Sequence, residues 1–165
     1  MNKWFWTIII AWLLVSCVVD ESENSPSGSS EIVRVGDRLP AFTVEVIDGA
    51  ERWLFSSVEL SGPTVIVFFN TSCSDCRWEL PRLNEYYLKH REEEGFRMIA
   101  ISREETASSI RAFWEAEGLS IPYSPQPDRA IYQLFATATI PRVYVCSASG
   151  IVTWIGIENF TLPDA

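Results

Sequence analysis

The stretch Phe68-Phe69-Asn70-Thr71-Ser72-Cys73-Ser74-Asp75-Cys76-Arg77-Trp78-Glu79-Leu80-Pro81 decides how the rest of this chain is read. Just before it, Thr64 to Phe69 is almost wholly β-branched or aromatic, the pattern of a strand buried on both faces. A helical pattern follows, and Cys73 falls at its first turn. A helix start leaves backbone N–H groups unpaired and carries the positive end of the helix dipole, so a thiol there is more acidic than a free one. The two-residue spacing lets Cys76 reach the sulfur of Cys73. The pair therefore reads as a redox centre, with Cys73 the nucleophile and Cys76 the resolving thiol.

Reading outward, Phe42 to Ile47 and Arg52 to Phe55 flank Asp48-Gly49, a tight-turn signal, and predict a β-hairpin. The helix that starts at Cys73 is expected to reach about Glu93, with Gly95 as its C-cap. A strand at Phe96 to Ile101 and a helix near Thr106 to Glu117 come next, with Gly118 behind it. Asp128 is expected to cap a short helix running through Phe135. Strands at Arg142 to Cys146 and Ile151 to Ile155 close the pattern, joined by Ser147-Ala148-Ser149-Gly150. Strand, helix, strand, helix and an antiparallel pair give an α/β fold with a mixed central sheet and helices on both faces.

The chain has 165 residues and 47% hydrophobic content, enough for one domain with its own core. Acidic residues outnumber basic ones 22 to 13 and no basic cluster occurs, which argues against a nucleic-acid partner. Zinc is not expected either. Beyond Cys73 and Cys76 the domain offers only Cys146 and His90, where a structural site wants four ligands. Cys146 ends an apolar strand and reads as core, and His90 reads as a surface residue near a helix end.

The amino terminus is set apart. Lys3 precedes the apolar run Trp4 to Val15, which has the length of a signal segment and falls short of the roughly 20 residues that span a bilayer. Leu14-Val15-Ser16-Cys17 resembles the lipobox of bacterial lipoproteins, which implies residues 1–16 as a signal peptide and acylation at Cys17. The competing reading is an uncleaved membrane anchor; both place the domain outside the cytoplasm, in the cell envelope. Residues 17–32, rich in Ser and acid, read as a flexible tether, which leaves 33–165 as the domain.

Several separate features resemble the thioredoxin-like superfamily. The Cys-x-x-Cys lies at a strand end and helix start, Pro81 lies five residues beyond Cys76, and Thr139-Ile140-Pro141 precedes a strand. Val35-Gly36-Asp37, Pro40 and Phe42 resemble the leading segment of its TlpA/ResA-like and peroxiredoxin-related (AhpC/TSA) branch. The resemblance implies a thiol-disulfide oxidoreductase without a cofactor, a cis bond at Pro141, and an Ile140 backbone that pairs with an extended substrate segment. Glu79, two positions before Pro81, matches the acidic residue of TlpA/ResA-like proteins, and its implied role is proton transfer; Val67 stands where thioredoxin has a buried aspartate. Trp78 is read as an exposed aromatic of the partner surface, with packing on the hairpin as the alternative. Implied partners are disulfide-bearing exported proteins and an upstream thiol electron donor, with apocytochrome reduction during c-type cytochrome assembly as one role of such relatives. A monomer is expected.

Two departures keep rival readings open. After Ile157 too little chain remains for the helix that usually ends this fold, and Ser72 replaces an aromatic found in many relatives. A lipid-anchored docking module with idle thiols is the non-enzymatic alternative. A peroxiredoxin-like peroxidase is the weaker one, because its proline before the cysteine is missing and Thr71 is one place off.

Overall fold

The computed structural model describes residues 30–163. The signal segment, Cys17 and most of the tether lie outside the described residues. Ser30, Glu31 and Ile32, read above as the end of the tether, are bonded to the domain. The Ser30 carbonyl accepts the Thr137 N–H at 2.8 Å, Glu31 bridges Ala136, and Ile32 donates to the Phe135 carbonyl at 2.9 Å.

The hairpin forms where its turn chemistry puts it. Strands β1 (Thr43–Asp48) and β2 (Glu51–Ser56) pair antiparallel across Gly49 and Ala50. Gly49 sits at φ 58°, the left-handed region that primed hairpin turns require of their first central residue. Then come β3 (Thr64–Phe69), α1 (Ser74–His90), β4 (Arg97–Ser102), α2 (Ala107–Glu117), β5 (Tyr123–Ser124), a 3-10 turn at Tyr132–Leu134, β6 (Arg142–Cys146) and β7 (Val152–Ile157). The strands make one mixed sheet in the order β2-β1-β5-β4-β3-β6-β7. β3, β4 and β5 run parallel, and the remaining pairings are antiparallel.

The fully buried β3 lies inside the sheet, between β4 and β6, and divides the core by alternation. Phe69 packs on Trp114 of α2, with ring centroids 4.9 Å apart, while Phe68 packs on Tyr132, Phe135 and Tyr144 across the opposite face. Both α-helices share the Phe69 face: the Arg77 guanidinium of α1 lies 5.1 Å over the Phe113 ring of α2, and Asn84 accepts the Ser120 N–H at 2.7 Å. Among the described residues, helical cover on the other face is reduced to the 3-10 turn.

Four local expectations need correction. α1 ends at His90 instead of Glu93, because three successive glutamates would place negative charge on the negative end of the helix dipole. Gly95 is consequently no C-cap. It sits at φ 76° in the following turn, against Gly62, where an added Cβ would stand 2.3 Å from the Gly95 carbonyl oxygen. His90 is buried at 4% exposure, stacked on Tyr86 at 4.4 Å, with Nδ1 2.6 Å from Glu93 Oε1. Asp128 caps an Asx turn through the Ala130 N–H at 2.8 Å, and the helix behind it shrinks to the 3-10 turn. The remaining difference is β5, which joins the hairpin to the parallel strands; two residues between Pro122 and Pro125 carry no readable periodicity.

No helix follows β7 among the described residues. Phe160 packs edge-on against Trp154 with centroids 5.8 Å apart, and Phe160 and Leu162 lie partly buried against the core. Gly156 makes room for this closure, since a Cβ there would stand 2.3 Å from the Trp154 ring.

Candidate active site

α1 is capped by Cys73 itself. The residue is extended, at φ −81° and ψ 123°, and its sulfur accepts the Cys76 N–H at 3.5 Å. The sulfur thus occupies the position in which a negative charge best satisfies the unpaired N–H groups of a helix start. Asn70 brings it there. Its carbonyl accepts the Cys73 N–H at 3.1 Å, its Oδ1 accepts the Ser72 N–H at 2.8 Å, and its Nδ2 donates to the Arg103 carbonyl at 2.8 Å, which ties the ends of β3 and β4 together. Across the site the Cys73 thiol donates to the Ile140 carbonyl at 3.6 Å, and the Ile140–Pro141 peptide is cis. The structure therefore brings the helix start and the proline loop together around one sulfur.

The two thiols differ in setting. Cys73 is partly exposed and Cys76 is fully buried, and both are free thiols. Burial pushes the Cys76 thiol far above the ordinary range; the hydrogen bond with the Asn70 backbone and the positive charge of Arg103 oppose that shift without cancelling it. Attack by the exposed sulfur followed by resolution from the buried one fits this asymmetry, and resolution then calls for a base.

Glu79 lies one turn beyond Cys76, at 2% exposure. It is the only buried carboxylate among the described residues, and Arg82 Nη1 donates to its two oxygens at 3.2 and 3.5 Å. Trp78 is 70% exposed, so the alternative of packing on the hairpin fails. Cys146 fills the core of β6, and burial raises its thiol to about 12. Thr71, the residue nearest to a peroxidase pattern, is bound to Glu105 through both its N–H, at 2.9 Å from Oε2, and its hydroxyl.

Sequence reasoning missed three residues around the dithiol. The Arg103 guanidinium lies 5.2 Å over the Tyr132 ring, and Tyr132 Oη donates to the Thr139 carbonyl at 2.8 Å. Arg142 lies buried directly after the cis-proline. None belongs to a motif; for the two arginines, a charged residue directly after β4 and another opening β6 were the available signals. A cleft of about 870 Å³ lies away from the thiols, between the Gly49 turn and the C-terminal ends of α1 and α2. Of the two thiols only Cys73 is partly exposed, and it lines neither this cleft nor three smaller ones, which suits a large partner better than an enclosed small molecule.

An N-cap thiol and a buried second thiol, facing a cis-proline loop on a thioredoxin-like fold, define a thiol-disulfide oxidoreductase. Residues 35–155 match the AhpC/TSA family, and the chain belongs to that family. It is 26% identical over 152 residues to thiol-disulfide oxidoreductase ResA of Bacillus anthracis, covering 92% of this chain and 86% of that protein. The ResA of Oceanobacillus iheyensis is 26% identical over 165 residues, covering 98% and 84%. The thioredoxin domain of a thiol-disulfide oxidoreductase from Bacteroides vulgatus shares the fold, with a TM-score of 0.65 at 17% identity over 77% of this chain and 91% of that one.

Proposed function

We propose that this protein is a lipid-anchored reductase that donates electrons from its dithiol to disulfides of exported proteins. The observation that carries this reading is the position of Cys73, whose sulfur lies between the Cys76 N–H and the Ile140 carbonyl. The Cys73 thiolate attacks one sulfur of the partner disulfide. That S–S bond breaks, a mixed disulfide forms, and the other partner sulfur leaves as a thiolate that takes up a proton. Cys76 gives its proton to Glu79, attacks Cys73 and expels the second partner sulfur, which is protonated in turn. The partner gains two electrons and two protons, and the protein keeps a Cys73–Cys76 disulfide until an upstream dithiol reduces it.

Glu79 is assigned the base because burial keeps Cys76 protonated at neutral pH and no other buried carboxylate is available among the described residues. The Ile140 backbone is assigned to strand-like pairing with the partner, and Trp78 supplies an exposed aromatic on the helix that carries the dithiol. The lipobox resemblance at Cys17 supports the anchor and an envelope location. Cytochrome assembly is one setting that would supply such a partner.

Redox titration of the full-length chain in detergent, read by alkylation mass shift at Cys73 and Cys76, tests the reading. A reversible two-thiol couple near or below roughly −270 mV supports a reductase, and one near roughly −120 mV makes the protein an oxidant. Without a reversible couple, the docking-module reading replaces it.

A further inference from the structure

Arg142 is wholly buried, the first residue of β6, and follows directly on the cis Ile140–Pro141 bond. Its Nε donates to the carbonyls of Ala138 at 3.0 Å and Thr139 at 3.1 Å, both in the loop that turns into the cis-proline. Its Nη2 donates to Ser30 Oγ, and its Nη1, which makes no hydrogen bond, lies 3.7 Å from Glu31 Oε1. One guanidinium thus joins the docking loop to the first described residues of the chain.

The loop needs such support. Thr139 is β-branched and sits at φ 72°, a left-handed conformation that costs on the order of 1–3 kcal/mol and persists only where neighbours enforce it. Its carbonyl accepts both Tyr132 Oη and Arg142 Nε. The segment behind the loop is held from the same side, through Glu31 bridging Ala136, the Ser30 carbonyl accepting the Thr137 N–H, and Val33 donating to the Phe135 carbonyl at 3.0 Å. Burying the Arg142 guanidinium against a carboxylate that stays 31% exposed is a poor source of stability, because the desolvation of the buried charge offsets much of the attraction. The best-attested use of such a pair is to select one arrangement over others, and the arrangement selected here is the path of residues 138–141.

We propose that Arg142, with Glu31 as its counter-ion, is the positioning residue of the partner-docking loop: it fixes the Ile140 backbone for strand pairing without touching the thiols. This rests on the reading of the protein as a disulfide reductase that docks its partner on Ile140. Ser30 and Glu31 then belong to the docking apparatus, at the point where the anchoring tether joins the domain.

The test compares two disulfides, insulin as a protein partner and oxidised glutathione as a small one, with the full-length chain reduced beforehand. Arg142→Lys keeps the charge but cannot fork between loop carbonyls, Ser30 and Glu31; Glu31→Gln removes only the counter-ion and serves where the arginine variant folds poorly. For Arg142→Lys, KM for insulin should rise on the order of tenfold, the scale of one lost charge-assisted hydrogen bond, and for Glu31→Gln, which loses only an ion pair, severalfold, while kcat for insulin changes less than twofold in both. The ratio of kcat/KM for insulin to that for glutathione disulfide should fall by the same order. Equal losses on both disulfides, or no change on either, would overturn the positioning role while the wild-type couple persists. A wild-type chain with no reversible couple would overturn the reductase reading, and this inference with it.

Discussion

The thiol of Cys73 and the carbonyl of Ile140 are 3.6 Å apart, although 67 positions separate them in the chain. Under the proposed docking mode, a partner strand that pairs with the Ile140 backbone would carry its disulfide onto the sulfur, so that the geometry of attack follows from the geometry of binding.

Alkylation should report the asymmetry of the two thiols. With iodoacetamide at pH 7 the reduced protein should gain a single adduct, on Cys73. In Cys73→Ser, Cys76 should stay unlabelled until the pH is well above 9, because burial holds its thiol protonated. Mass spectrometry of the intact chain checks both; rapid labelling of Cys76 at pH 7 would contradict the assignment.

Glu79→Gln should leave the first attack intact and slow the second. A proton-transfer group contributes on the order of 10²-fold or more, so mixed disulfide on Cys73 should accumulate under single turnover and be visible on non-reducing gels. Resolution at the wild-type rate would make Glu79 a structural partner of Arg82 only.

Trp78→Ala should separate recognition from stability. The ring is largely exposed, so the urea midpoint should shift by less than about 0.5 kcal/mol equivalent. KM for a protein disulfide should rise severalfold if the indole lies in the interface, as aromatic anchors do. Steady-state kinetics with insulin decides it.

The reduced protein should lose stability in alkali. Cys146 and Tyr144 are both held at about 12 by burial, from ordinary values of 9.0 and 10.0. A raised folded-state pKa means stability is fully present below the unfolded value and is lost as pH climbs towards the folded one, here between about pH 9 and 12. Each group that ionises only in the unfolded chain costs about 1.4 kcal/mol per pH unit across its own window. Urea midpoints measured across this range should fall, and Cys146→Ala should flatten the slope above pH 9.

Gly62→Ala should destabilise the fold by about 1–3 kcal/mol, because its Cβ would meet the backbone of Gly95 instead of a movable side chain. Thermal unfolding measures this, and an unchanged midpoint would mean that the turn at Gly95 yields freely.

Much of this architecture was legible because local chemistry and tertiary role coincide. The β-branched run into Cys73, the Asp48-Gly49 turn and the Gly118 cap each specify their element without help from distant residues. Cys73, Cys76, Ile140 and Pro141 were readable for a related reason: the spacing and the resemblance carry the geometry. The misses share a different cause. His90 goes inside because Tyr86 and Phe96 offer a ring stack and Glu93 a hydrogen-bond partner, none of which a helix-end pattern announces. Arg142 and Arg103 acquire their roles from groups far along the chain or across the sheet, as with the Ser30 to Arg142 contact over 112 positions. Long-range pairing of buried charge leaves no periodicity to read.

The segment after β7 has one further consequence. With no helix among its described residues, Phe160 to Leu162 runs beside α1 and leaves a groove of about 290 Å³ lined by Glu79, Arg82, Tyr86 and Lys89. Neither Cys73 nor Ile140 lines that groove, whereas Glu79 does. Under the proposed role of Glu79, a proton taken from Cys76 would leave through this groove. On that reading, release of the proton and release of the product would be separate events, and the second attack would not wait for the partner to move aside.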